Sequence, residues 1–129
     1  MKLASRLFFA LLVISTIVSC KKDKAEPAFK IEGGWTGKIG NGPGEPDGFY
    51  LVDIKKGGVI ERIAFNGNVS AKGTWSVSGN EFNASYTFIP VGGTVTVKGI
   101  INKTELRITG TWENTGSEDG KFYLVKNDK

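Results

Sequence analysis

The residues able to do chemistry are few, and their types remove whole reaction classes. Histidine is absent and the 129 residues hold one cysteine, Cys20. No nucleophile–histidine pair, disulfide, or metal cage built on histidine or cysteine is therefore available. Carboxylates remain: Glu45, Asp47, Glu118 and Asp119 fall in two glycine-flanked segments and could gather oxygen ligands for calcium. Their spacing matches no known cage, so solvated turn carboxylates are the simpler expectation. Two of them could also act as acid and base on a glycoside, but nothing in the sequence raises either pKa. Gly37, Gly40, Gly42 and Gly44 have the composition of a phosphate loop, yet no helix start and no Gly-Lys-Ser/Thr follows. The sequence thus assigns no catalytic residue, metal or cofactor, and the chain is expected not to be an enzyme. Aromatic rings are what is left, with Trp35, Tyr50, Tyr86, Phe88, Trp112 and Phe122 as candidates to stack on a small apolar or aromatic ligand. Whether they bind or merely pack depends on the elements that position them.

Those elements are strands. Eighteen glycines in 129 residues are about twice the usual usage of ~7%, while 40% hydrophobic and 23% charged residues exclude collagen and plain disorder. From Phe29 onward the chain shows eight segments of period two and none of helical spacing. Phe29, Ile31, Gly33, Trp35, Gly37 and Ile39 share one face of the first segment, and Lys30, Glu32, Gly34, Thr36 and Lys38 share the other. The fourth segment puts Val69, Ala71, Gly73, Trp75 and Val77 on one side, the fifth Phe82, Ala84, Tyr86 and Phe88, the seventh Leu106, Ile108, Gly110 and Trp112. The second (Phe49 to Lys55), third (Val59 to Phe65), sixth (Thr94 to Ile101) and eighth (Lys121 to Lys126) are less cleanly sided. In the second, Tyr50 and Val52 against Phe49 and Leu51 stays undecided.

The connections Lys56-Gly57-Gly58, Asn66-Gly67-Asn68, Ser78-Gly79-Asn80, Pro90 to Gly93 and Asn102-Lys103 suit hairpins, so sequence neighbours should pair in space. A meander with one apolar face and no helix to cover it must add a second layer or curl upon itself. Closure also removes the exposed edges, so the expected fold is all-β, an eight-stranded antiparallel up-and-down β-barrel over residues 29–129, with a two-sheet β-sandwich as the alternative. Loops after odd strands share one end, including the long ones Gly40 to Gly48 and Glu113 to Gly120. By this count Ile39, Tyr50, Phe88, Trp112 and Phe122 lie near that mouth, Trp35 and Tyr86 one layer deeper, and Trp75 at the opposite end. Eight strands enclose room for side chains or one small ligand, and the inward aromatics predict a mostly filled barrel with a shallow pocket.

The triplet Gly-x-Trp occurs as Gly33-Gly34-Trp35, Gly73-Thr74-Trp75 and Gly110-Thr111-Trp112, with tryptophans 40 and 37 residues apart. Glycine and tryptophan two apart face one side, so the missing side chain leaves room for a neighbouring ring. On the first strand the triplet resembles the lipocalin signature, and Gly-Thr-Trp before a polar turn is similar to avidin-type barrels. Both belong to the calycin group, and the resemblance implies a small-ligand-binding barrel.

The N-terminus reads as an address. Lys2 and Arg6 precede an apolar run from Leu7 to Val18, of secretory-signal length and too short to span a bilayer stably. The run ends Ile17-Val18-Ser19-Cys20, which resembles the bacterial lipobox and implies a signal peptide over residues 1–19, cleavage before Cys20 and lipid on its thiol. Two or three acyl chains, at about 0.8 kcal/mol per buried methylene, anchor stably. Losing residues 1–19 leaves 15 basic against 13 acidic side chains, so the apparent basicity of +4 mostly disappears and nucleic acid is not an expected partner. Residues 20–28 are then the lipidated cysteine and a polar tether, about 26–29 Å long over its last eight residues if extended. Lys21 after the cysteine is not the aspartate of an inner-membrane retention signal, which favours the outer membrane, on its periplasmic face or at the surface. The expected function is a tethered binder of a small apolar or aromatic molecule; the alternative is a protein-binding envelope lipoprotein, an assembly factor or enzyme inhibitor, that uses its loops.

Overall fold

A chain that alternates apolar and polar side chains satisfies both only on a sheet with one dry face. The computed structural model describes residues 29–127. The signal peptide, lipidated Cys20 and tether expected from the sequence lie outside the described residues. The strands are β1 (Gly33–Asn41), β2 (Gly48–Lys55), β3 (Val59–Ile63), β4 (Val69–Ser78), β5 (Glu81–Phe88), β6 (Thr94–Asn102), β7 (Arg107–Asn114) and β8 (Asp119–Lys126). Each pairs antiparallel with the next, and β8 returns to β1 with Lys38 opposite Tyr123 and Ile39 opposite Phe122. The fold is the closed eight-stranded up-and-down barrel, not the sandwich. A single 3₁₀ turn, Lys56–Gly58, links β2 to β3.

Register decides which residues point inward. Trp35 pairs with Val52 and Gly37 with Tyr50, which settles β2: Tyr50, Val52 and Ile54 face the lumen and Phe49 and Leu51 the outside. Pairing then carries the inward face through Ile60 and Arg62 on β3, Ala71 and Gly73 on β4, and Tyr86 and Phe88 on β5. Val97, Gly99 and Ile101 continue it on β6, Ile108 and Trp112 on β7, and Phe122 and Leu124 on β8.

The large rings sit across from glycines. Tyr50 faces Gly37, Tyr86 faces Gly73 and Phe122 faces Gly110, so each ring covers a gap in its neighbour strand. Room for a ring is only part of the reason for the glycines. A Cβ on Gly73 would stand 1.8 Å from the carbonyl oxygen of Ser85, and one on Gly110 1.9 Å from that of Lys98. The second and third Gly-x-Trp triplets therefore mark places where two strand backbones approach too closely for any side chain, a device for bending a sheet into a barrel.

Three local expectations differ from the structure. Phe29 and Ile31 do not extend β1: the chain turns at Gly33, where φ is 130°, and the preceding segment folds across the tight-turn end. There Trp35 Nε1 donates to the Ile31 carbonyl at 2.8 Å, Lys126 Nζ donates to the Lys30 carbonyl, and Ile31 is buried. Leu106 is exposed with φ 54°, because the β6–β7 turn extends to it. Val69 is exposed as well, since a register shift between Arg62 and Ile63 bulges the β3–β4 pairing.

Candidate functional site

From the tight-turn end upward the lumen is filled. Trp35, Val52, Ile54, Ile60, Phe82 and Leu124 are each at most 1% exposed. Trp75 lies low in the wall, its Nε1 donating to the Lys55 carbonyl at 2.8 Å. Trp35 stands at this end too, because β1 runs from the tight turns to the mouth and reaches Trp35 two residues after it begins. Its indole is wholly buried, so it serves the core, deeper than the layer just below the mouth where the sequence count put it, and does not reach a ligand at the mouth.

Above this filling lies a polar layer. Tyr50 and Tyr86 share a hydroxyl–hydroxyl hydrogen bond of 2.8 Å, and the Tyr50 ring meets Phe122 edge-on at 5.7 Å between centroids. Over them reaches Arg62, whose guanidinium carbon lies 4.9 Å from the Tyr50 ring centre, 5.4 Å from Phe88 and 5.9 Å from Tyr86. Its Nη1 donates a long bond of 3.4 Å to the Tyr86 hydroxyl. Burial pushes the Tyr50 phenol well above its ordinary pKa, reinforced by the facing Tyr86 and only partly opposed by Arg62. Burial raises Tyr86 as well, against the pull of Arg62. Both phenols stay neutral at physiological pH, and neither cancels the arginine's charge.

At the mouth, a cavity of about 250 Å³ opens above Arg62. Ile39, Phe88, Val95 and Trp112 form its apolar walls; Asn41, Asn114 and Glu118 are the polar residues at its edge. The rim is tied down. Trp112 Nε1 donates to the Gly40 carbonyl at 2.9 Å, and the Gly42 amide donates to the Asp119 carbonyl at 2.8 Å, joining the two long loops. Asn114 Oδ1 accepts from the Gly116 and Glu118 amides, and its Nδ2 donates to Glu118 Oε1, all at 2.9 Å. This places a small ring-walled chamber, floored by one cation, at the end opposite the chain's entry.

Of the rings singled out in the sequence, Phe88 and Trp112 line this cavity, while Tyr50, Tyr86 and Phe122 form the layer beneath it. Arg62 and Val95 were not foreseen. The signal for Arg62 was present: with Ile54 inward, the Lys56–Gly58 turn pairs Ile54 with Ile60, and two residues on Arg62 falls opposite Val52.

Elsewhere the charges are structural or solvated. Glu61, on the outer wall, takes Lys55 at 3.1 Å and Lys72 at 3.6 Å, and the Lys55 hydrogen bond lowers its pKa. Glu45, Asp47, Glu118 and Asp119 are all exposed. Among the described residues no group of three acidic or cysteine side chains is placed to hold a metal ion. Two larger concavities, of about 520 and 400 Å³, are troughs along the outside of β6–β8 and β5–β7 rather than openings of the lumen. Around the mouth, Phe65, Ile89 and Val91 are 87%, 53% and 85% exposed, and Phe65 stacks edge-on against Phe49 at 5.3 Å. No protein-family model, curated protein or solved structure matches this chain.

Proposed function

We propose that the chain is a bacterial outer-membrane lipoprotein, lipidated at Cys20, whose barrel holds a small apolar or aromatic molecule at the mouth far from its anchor. The calycin-like reading of the Gly-x-Trp triplets is part of this proposal. One observation carries it: above a lumen filled by buried side chains lies a chamber of about 250 Å³ walled by Ile39, Phe88, Val95 and Trp112. A chamber of this kind, apolar with a few polar groups at its edge, suits small-molecule binding, although it lies just below the usual range of about 300–1,000 Å³. We read the role as binding rather than catalysis; the carboxylates nearest the mouth, Glu45, Asp47, Glu118 and Asp119, stand exposed.

The test is tryptophan emission during titration with small aromatic compounds. Trp112 borders the chamber whereas Trp35 and Trp75 lie at the far end, so Trp112→Phe should remove the response and Trp75→Phe should leave it. A library that moves no tryptophan signal refutes the reading.

The exposed side chains Phe65, Ile89 and Val91 favour a second reading, a protein-binding envelope factor that uses its mouth loops. A photo-crosslinker at position 65 in intact cells should then recover one stoichiometric partner.

A further inference from the structure

We propose that Arg62 recognises a carboxylate, so that the molecule held at the mouth is a small organic acid with an aromatic or apolar body. This deepens the binding reading above and rests on it. Arg62 occupies an inward register position, between Val52 and Ala71, where an aliphatic residue would fill the lumen at less desolvation cost. Among the described residues no carboxylate pairs with it. The salt bridges among the described residues belong to Glu61 with Lys55 and Lys72, on the outer wall. Glu118, the carboxylate on the cavity's edge, is exposed, held at the rim by Asn114 and outside ion-pair range of the guanidinium.

The guanidinium is also positioned and underused. Three rings, Tyr50, Tyr86 and Phe88, fix it from within 6 Å, while among the described residues only one of its five N–H donors has an acceptor, at 3.4 Å. The remaining donors form a planar fork that matches a carboxylate in bidentate geometry. One unpaired positive charge calls for one negative charge, which favours a carboxylate over a doubly charged phosphate monoester. Size supplies the rest: a dry cavity of about 150 Å³ admits benzene, so about 250 Å³ admits a ring body with its carboxylate and leaves little more.

The experiment compares 2-naphthoate with its neutral isostere 2-naphthamide, titrated into the full-length chain by calorimetry. Naphthoate should bind on the order of 10- to 100-fold more tightly, the effect of charge-assisted hydrogen bonds. Arg62→Met should bring naphthoate and naphthamide to about the same affinity by weakening naphthoate far more than naphthamide, and Arg62→Lys should fall between. Equal affinity of the native chain for both compounds overturns the carboxylate assignment and leaves the apolar binding reading standing. Binding of neither compound overturns both. The native-chain comparison needs no variant, so it decides the matter even where Arg62→Met does not fold.

Discussion

Removing one tyrosine hydroxyl from the lumen should cost more than removing the other, and removing both should cost less than the sum. Among the described residues the Tyr50 hydroxyl has Tyr86 as its only hydrogen-bond partner, whereas the Tyr86 hydroxyl has both Tyr50, at 2.8 Å, and Arg62, at 3.4 Å. Among the described residues no buried side-chain polar atom is without a partner, so each deletion creates the defect rather than inheriting it. Tyr86→Phe strands the Tyr50 hydroxyl in a site 1% exposed and also removes the acceptor of Arg62, so its expected cost is about 2–3 kcal/mol. Tyr50→Phe leaves Tyr86 its arginine contact and should cost about 0.5–1.5 kcal/mol. The double variant strands no hydroxyl, so the pair should show a coupling of about 1 kcal/mol or more. Urea unfolding of the four proteins, with slopes compared to confirm that one transition is measured, gives these differences. Additive costs, or Tyr50→Phe as costly as Tyr86→Phe, would refute the placement of Arg62 over a tyrosine pair.

Three further outcomes are expected, two from the same geometry and one from the proposed lipid anchor. Gly73→Ala should destabilise by at least about 1–3 kcal/mol, because its Cβ would meet the Ser85 carbonyl at 1.8 Å, whereas Gly44→Ala, with open space around it, should stay within about 0.5 kcal/mol; equal urea midpoints would contradict the close strand approach. Both buried phenols have folded pKa values above the ordinary ~10, so at high pH the unfolded chain releases its phenolic protons first; stability is intact below about pH 10 and falls as pH rises beyond it, and Tyr50→Phe should shallow that fall in pH-dependent urea midpoints. Cys20→Ala should abolish metabolic labelling with palmitate and move the chain from the membrane to the soluble fraction, and continued labelling would remove the anchor assignment.

The sequence was most readable where one face alone is apolar. In β5, Phe82, Ala84 and Tyr86 alternate with Asn83 and Ser85, and the pattern allows one orientation only. β2 resisted because both faces carry large apolar groups: Phe49 finds a partner outside the barrel in Phe65, so periodicity could not rank it against Tyr50. β3 hid the central residue of the site for a related reason. Glu61 and Arg62 are adjacent, one charge must face inward, and only the pairing across the Lys56–Gly58 turn says which. Phe29 and Ile31 kept the alternation of β1 but close the barrel's end, since a backbone turn at Gly33 leaves the apolar pattern untouched while redirecting the chain. The site residues Phe88 on β5 and Trp112 on β7 were thus visible as rings, whereas the cation beneath them became visible only through register.

Where a bound aromatic molecule sits decides between a site at the mouth and none there. Isotope-filtered nuclear Overhauser contacts from 2-naphthoate to the methyl groups of the full-length chain measure this directly. They should reach Ile39 and Val95 at the mouth and miss Ile54, Ile60 and Ile108 in the filled lumen. Contacts to those deep methyls, or to Ile100 on the outer wall, would contradict a site at the mouth.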